Sequence, residues 1–499
     1  MNRNFLLGID AGTQSTRAAI FDCDGKKLGS AETEHNIKYF TDGRVEHSPE
    51  DLWNALKTSV TRVLEQTGIK GGEIAGIGVD GTCSTTILCD SQGAPLLDAI
   101  VWMDTRAKEE VKSIAKSGHK VLSYSGGEDA VEWIVPKALW VKKNIPQVYH
   151  KSSYIVESIN WLNFMLTGRW TASRCSSTIA WNYASVDGGW DRGFFQEIGL
   201  EEILDKWPVT VQPMGAVCGC VSANAAAQLG LAEGIPVGQG GVDAHVAMLG
   251  MGVFDTGIMA MSLGSSSVHL VLTQAPIEIP GIWGPYPEAV YDHKWLLQGG
   301  QSSTGSVVKW FKDNFCGNVA GTEPMNYEML DLRGGDIPPG CQGLVALENF
   351  QGNRSPYRNP AATGIFRGVT LAHGKYHMYR ALLEGAAFGT RLITDLFREN
   401  EVEIEEIRIC GGGAKSRLWT QIHADVTGIP LVTMEEKESA VLGAAICGAV
   451  AAGIYGNLEE AAGKMTREAE CIQPNWENHQ MYEQNFKLYV ETYKKLYGE

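Results

Sequence analysis

Three short glycine-rich turns carry the residue types that bind phosphate, and each follows an apolar run. The first is Asp10-Ala11-Gly12-Thr13-Gln14-Ser15. Glycine lets a main chain approach an oxyanion closely, the Thr13 and Ser15 hydroxyls can donate to it, and Asp10 can hold Mg²⁺ directly or through water. The second turn is Gly264-Ser265-Ser266-Ser267. The third is Gly411-Gly412-Gly413-Ala414, which opens an expected helix whose N-terminal N–H groups would face an anion or an adenosine ribose. One such turn is a structural commonplace. Three at analogous positions in two halves of a chain point to a nucleotide.

A fourth segment, Gly240-Gly241-Val242-Asp243-Ala244-His245, places a carboxylate after two glycines at the start of an apolar helix containing Val246, Met248 and Leu249. Asp243 has two readings here. It could be a helix N-cap, a common role for aspartate. It could also be the base of a phosphoryl transfer, accepting the proton of an attacking hydroxyl while a metal and N–H groups stabilise the moving phosphoryl group. His245 reads as a plain helix-face histidine. Other chemistries lack their motifs: the chain has no G-x-x-x-x-G-K-[ST], no H-E-x-x-H, no paired C-x-x-C and no G-x-S-x-G. No G-x-G-x-x-G follows a strand as a dinucleotide fold requires.

The elements that must position these turns alternate between strand and helix. Leu6 to Ile9 and Arg17 to Phe21 read as strands closed by Asp24-Gly25. Pro49 to Glu65 has helical spacing through Leu52, Leu56, Val60 and Val63, and strands follow at Ile74 to Asp80 and Thr85 to Asp90. The rhythm implies an α/β sheet. Gly257 to Leu272 repeats the opening pattern of strand, Gly with small hydroxyl residues, and strand. Internal duplication follows, with domains at 1–254 and 255–499 and the boundary near Gly252 to Thr256. Helices are expected at Tyr376 to Arg398, from about Ser416, and at Ala440 to Ala452, whose Ala and Gly content implies close packing. The aromatic stripe Trp476, Tyr482, Phe486, Tyr489 and Tyr493 reads as an amphipathic helix packed on the body.

At 499 residues the chain is too long for one ordinary core, and its composition of 44% hydrophobic and 20% charged residues is that of a globular protein. The formal charge of −16 argues against a broad nucleic-acid surface. The run Phe5 to Ile9 is too short for a signal-peptide core, and no stretch approaches the roughly 20 apolar residues of a membrane helix. A cytoplasmic location is expected, with a homodimer as the default assembly. The eleven cysteines are scattered singly apart from Cys218 and Cys220, which suits reduced thiols better than a zinc site.

The whole chain resembles the FGGY carbohydrate kinases of the actin–hexokinase superfamily. The likeness is carried by GIDAGTQSTRAAIFD, GGVDAHVAMLG, MSLGSSS and GGGAKSRLWTQIHAD. The stretch from Gly364 to Glu384 is similar to the family's C-terminal signature, with Leu382 as a departure. Pro136-Lys137-Ala138-Leu139-Trp140 keeps the N-terminal signature in part. The resemblance implies two duplicated ribonuclease H-like (actin-like ATPase) domains around a central cleft, with ATP and Mg²⁺ as cofactors. It implies Asp10 and Asp243 near the metal, with Asp243 as general base, and Thr13 and Ser265 near the terminal phosphates. Gly305 would approach the nucleotide, and Gly412, Gly413 and Ser416 would border the adenosine.

The implied substrate is a small sugar or polyol beside Asp243. Glycerol kinases carry Asn-Gln-Arg-Glu where this chain has Gly81-Thr82-Cys83-Ser84, and xylulokinases commonly have a Met-His pair there. GVDGTCST, with AIVWMDTRA containing Trp102, Asp104 and Arg106, looks more like the ribulokinase-type pentulose and pentitol kinases. Thr82, Cys83, Asp104, Glu132 and Trp133 are the expected sugar pocket, although Trp133 reads equally as core. The alternatives are a kinase of erythritol, glycerol or a hexulose, or a sugar or nucleotide sensor without catalysis.

Overall fold

The computed structural model describes residues 4–317 and 325–498, so the opening Met-Asn-Arg lies outside the described residues. Strands β1 (Phe5–Ala11), β2 (Ser15–Asp22) and β3 (Lys27–Glu34) form an antiparallel meander. Helix α1 (Pro49–Thr67) starts where the Ser48 side chain accepts the Asp51 N–H, and it ends at Gly68 in the left-handed conformation (φ 70°). Its buried face, with Leu52, Leu56, Val60 and Val63, packs on β2 and β3. The chain returns as β4 (Ile74–Gly81), parallel to β1, which makes Asp10 and Asp80 register partners. Then β5 (Val217–Cys220) and β6 (Pro236–Gly238) complete the order β5-β6-β4-β1-β2-β3, and α2 (Asp243–Gly250) follows. A smaller five-stranded sheet, built from Lys38–Tyr39, Val45–His47, Thr86–Cys89, Ala99–Ile100 and Tyr154–Glu157, stands beside it.

The second half repeats the plan. Its strands are β7 (Ile258–Leu263), β8 (Ser267–Thr273), β9 (Trp283–Pro287) and β10 (Trp295–Gln301), followed by α3 (Gly305–Phe315) and α4 (Lys375–Glu399). After them come β11 (Glu406–Cys410), α5 (Arg417–Thr427), β12 (Leu431–Met434), α6 (Ser439–Ala451), β13 (Glu468–Ile472) and α7 (Trp476–Tyr497). The sheet order is β9-β10-β8-β7-β11-β12-β13. In both sheets the first strand pairs antiparallel with the second on one side and parallel with a later strand on the other. A second parallel strand and an antiparallel edge strand complete that side in each. The topology is the duplication that the repeated hairpins imply. In α7, Tyr482, Tyr489 and Tyr493 are buried as the stripe requires, whereas Trp476 is exposed and meets His479 edge-on.

Helix α6 belongs to the second half in sequence and to the first half in packing. Val441, Leu442, Ala444, Ala445, Ile446, Cys447 and Ala449 join the core of the first sheet. The contact is backbone on backbone. A Cβ at Gly8, Gly78, Gly76 or Gly238 would collide with the carbonyl oxygen of Val441, Ala444, Gly448 or Cys447 respectively. From the helix side, a Cβ at Gly443 would strike the Val246 carbonyl of α2. The Ala and Gly content read from the sequence is thus the means by which one half is seated on the other. Among the described residues no helix is long and apolar enough to cross a membrane.

Gly78→Ala forces a methyl group into the Ala444 carbonyl, and neither backbone can yield without moving a sheet or a helix. It should cost about 3 kcal/mol or more. Gly412→Ala, where nothing lies within 4 Å of the added carbon, should leave the thermal unfolding midpoint unchanged. Equal melting of both variants would contradict the seam.

Candidate active site

The seam leaves a cleft between the two sheets, with a cavity of about 770 Å³. One end of it is built from the turns. Gly12 and Thr13 line it, and Trp102 Nε1 holds the Thr13 hydroxyl at 3.0 Å. Gly264 and Ser265 line it from the opposite side. This second turn is braced from behind: Gly305 N–H donates to the Gly264 carbonyl at 2.9 Å, and Ser306 N–H to the Ser265 carbonyl at 3.0 Å. Gly412 and Lys415 complete the rim.

Several expected nucleotide contacts face elsewhere. Ser15 starts β2 with its hydroxyl directed to Glu32, away from the cleft. Gly305 packs against the Gly264 backbone with no room for a side chain, so it supports the turn and does not line the cavity. Gly413 is wedged against Leu263 and Trp419. Ser416 caps α5, accepting the Trp419 N–H at 3.0 Å, after a short 3₁₀ turn at Gly412–Lys415. The third glycine turn therefore does not itself open a helix.

The other end of the cavity is lined by Thr82, Cys83, Glu132, Trp133, Trp283 and Arg354. Its floor is held rigidly. Ser84 takes a positive φ of 56°, and buried Lys137 donates to the carbonyls of Ser84, Ile100 and Val101 at 2.7, 3.4 and 3.0 Å. Burial pulls this ammonium down to about 8. Thr82 and Thr85 share a hydroxyl hydrogen bond of 2.7 Å. Arg354, from the second half, lies over Trp283 and reaches Glu132 at 3.4 Å, so the pair spans the cleft. Asp104 is not part of this wall. It is 0% exposed, accepts the Val45 N–H at 2.7 Å and holds the Arg106 guanidinium at 2.9 and 2.7 Å, which fixes the segment carrying Trp102.

Carboxylates occupy the middle. Asp243 is the first residue of α2 with Val242 in the cap position, so it is not the N-cap. One of its oxygens accepts the Ala244 N–H at 2.6 Å. Burial, and then the charge of Asp10, pushes its carboxyl up to about 7. Burial also raises Asp10, while its contact with Asp80 acts in the opposite direction. Burial and the neighbouring Asp10 and Asp243 hold Asp80 well above the usual carboxylate range. Asp10 and Asp243 line the cavity and present the oxygen donors a hard divalent cation takes. Arg17 also lines it, held by Glu32 at 2.9 Å and Glu438 at 3.1 Å.

Reading the sequence singled out neither Asp80, Arg17, Lys415 nor Arg354 as site residues. For Asp80 a signal existed: an aspartate closing the apolar run Ile74 to Val79. For Arg354, which arrives from a distant loop, there was none.

Two family models cover most of the chain. The N-terminal domain of the FGGY family of carbohydrate kinases matches residues 5–250, and its C-terminal domain matches residues 259–452. An FGGY carbohydrate kinase domain-containing protein of Xenopus laevis is 33% identical over 98% of this chain and 96% of its own. A ribulokinase of Geobacillus thermodenitrificans is 30% identical over 99% and 94%. Among solved structures, the gluconate kinase of Lactobacillus acidophilus superposes with a TM-score of 0.88 at 22% identity, over 99% of this chain and 98% of that one. Plasmodium falciparum glycerol kinase with ADP gives 0.85 at 22% identity, over 98% of both chains. These structural likenesses carry the actin-like fold. With both family domains matched in order around one cleft, the chain belongs to the FGGY family of carbohydrate kinases and is a sugar phosphotransferase.

Proposed function

We propose that this kinase transfers the γ-phosphoryl group of ATP to a terminal hydroxyl of a five-carbon ketose, of ribulose or xylulose type, or of the matching pentitol. Asp243 is the general base. The observation that carries this reading is the position of Asp243: a buried carboxylate between the glycine turns and the Trp133–Trp283 wall, raised to about 7 and so basic enough to take a proton near neutral pH. The relatives named ribulokinase support the pentulose class, as does the Thr82-Cys83 floor.

The sugar lies against Trp133 and Trp283, with its hydroxyls toward Thr82, Glu132 and Arg354 and the reacting hydroxyl toward Asp243. The N–H groups of the Gly12-Thr13 and Gly264-Ser265 turns cradle the phosphates, and the Gly412 rim takes the nucleoside end. Asp10 and Asp243 would hold Mg²⁺, which supplies charge neutralisation at the transferring phosphoryl group. Among the described residues no three His, Cys, Asp or Glu side chains form a closed metal cage. A cation there would be held by one or two carboxylates and completed by phosphate oxygens and water. The working division is between residues 254 and 255, and closure of the halves over the sugar excludes water from the transfer.

Asp243→Asn keeps the shape and removes the base. It should lower kcat by about 10² to 10⁴, with calorimetry showing ATP-analogue affinity retained. Turnover at the wild-type rate would exclude Asp243 as the base.

The same variant reports on the empty protein. A carboxyl whose folded pKa is raised contributes stability at low pH that is lost as pH rises through the folded value. Asp243→Asn should therefore melt above wild type at pH 8. The gap should stay constant above pH 7 and close as pH falls from 7 toward 4. A pH-independent gap would contradict the burial of that charge.

A further inference from the structure

Two charged side chains meet across the sugar end of the cleft, one from each half of the chain. Glu132 and Arg354 both line the cavity and approach to 3.4 Å. Among the described residues each is the other's only hydrogen-bond or ion-pair partner. Arg354 is placed by its surroundings as well as by that contact. Its stem packs on Gly300 of β10, where an added Cβ would come within 3.0 Å of the arginine Cδ, and its guanidinium lies over Trp283. The next residue is clamped to the same strand. Ser355 N–H donates to the Gly300 carbonyl at 3.0 Å, and the Ser355 hydroxyl accepts the Gly300 N–H at 3.3 Å. Arg358 lies over the same indole but is engaged elsewhere, donating to the carbonyls of Gly126 and Ile282 at 3.0 and 2.8 Å. A guanidinium has five N–H donors and no acceptor, so one carboxylate contact leaves most of them for a ligand. Alone on a pocket wall such a group is a receptor for carboxylate or phosphate. Glu132 cancels its charge and leaves its donors, which suits hydroxyls. An acidic group brought to the same place would meet the Glu132 carboxylate as a like charge.

We infer that the Arg354–Glu132 pair sets the charge of the substrate: it holds the hydroxyls at the end of the sugar remote from the transferred phosphoryl group and rejects sugar acids of the same length. Arg354 supplies the attraction and Glu132 the built-in repulsion that specificity between close analogues needs. The inference rests on the placement of the sugar against the Trp133–Trp283 wall given above.

The test compares matched compounds that differ in one terminal group: ribitol with ribonate, xylitol with xylonate, and arabinitol with arabinonate. The kcat/KM for ADP release is measured for each in wild type, Glu132→Gln, Arg354→Gln and the double variant. Wild type should favour the alcohol over the acid. Glu132→Gln, which frees the guanidinium, should raise the acid-to-alcohol ratio at least about tenfold, the low end of what a close charge pair contributes across an interface. The change should lie in KM more than in kcat. The gain should vanish in the double variant, because Arg354 is its cause. An unchanged ratio in Glu132→Gln would overturn the inference. So would a gain that survives in the double variant, which would trace to the negative charge of the cleft as a whole. Affinity for each compound, followed by tryptophan fluorescence, is read alongside and decides the matter where turnover is absent. Tighter pentonate binding to Glu132→Gln than to wild type and the double variant upholds the inference, and equal binding overturns it. Should sugars and polyols all leave wild-type ADP release unchanged, the substrate reading fails by itself and the affinities still judge the pair.

Discussion

The backbone contact between α6 and the first sheet is the constraint on which the rest of the molecule depends. Gly8, Gly76, Gly78 and Gly238 strip one face of three central strands down to main chain, and the Ala- and Gly-rich helix lies directly on it. Because α6 follows β12 in the chain, seating it on β1, β4 and β6 ties the second sheet to the first. The cleft lies between the two halves, which meet again where β9 packs on residues 120–125. The close backbone contact explains why both sides of the seam avoid side chains.

The seam also decides where the strand ends point. The turn after β1 and the turn after β7 face each other, with the start of α2 between them. Donors on opposite walls suit a ligand whose phosphates lie between the halves. The carboxylates on the floor supply the opposite sign. Asp10, Asp80 and Asp243 are all buried enough to be raised above the ordinary carboxylate range.

What the sequence makes legible follows from locality. Apolar runs broken by glycine and hydroxyl residues mark the three turns, and Asp243 stands out because it follows two glycines and leads an apolar helix. The α/β class, the duplicated plan and the close packing of α6 are legible for the same reason. Direction is not. Ser15 and Thr13 are equally polar, yet strand register sends Ser15 to Glu32, while Trp102 holds Thr13 on the cleft. Asp104 looks like a sugar ligand until Arg106 and the Val45 amide are seen to occupy it. Gly413 and Ser416 belong to the third turn but to its far side, and Gly305 braces the second turn from behind. Asp80 gains meaning only from its parallel pairing with Asp10, and Arg354 meets Glu132 from 222 positions away. Local patterns cannot report such partnerships.

The measurement that bears most directly on the central claim is ADP release from MgATP across ribuloses, xyluloses, ribitol and other pentitols, erythritol, glycerol and hexuloses. A pocket floored by Thr82 and Cys83 and spanned by Glu132 and Arg354 predicts sugar-dependent ADP release with a clear preference for one pentulose or pentitol. ADP release that no sugar or polyol in the panel raises above the sugar-free rate would contradict it.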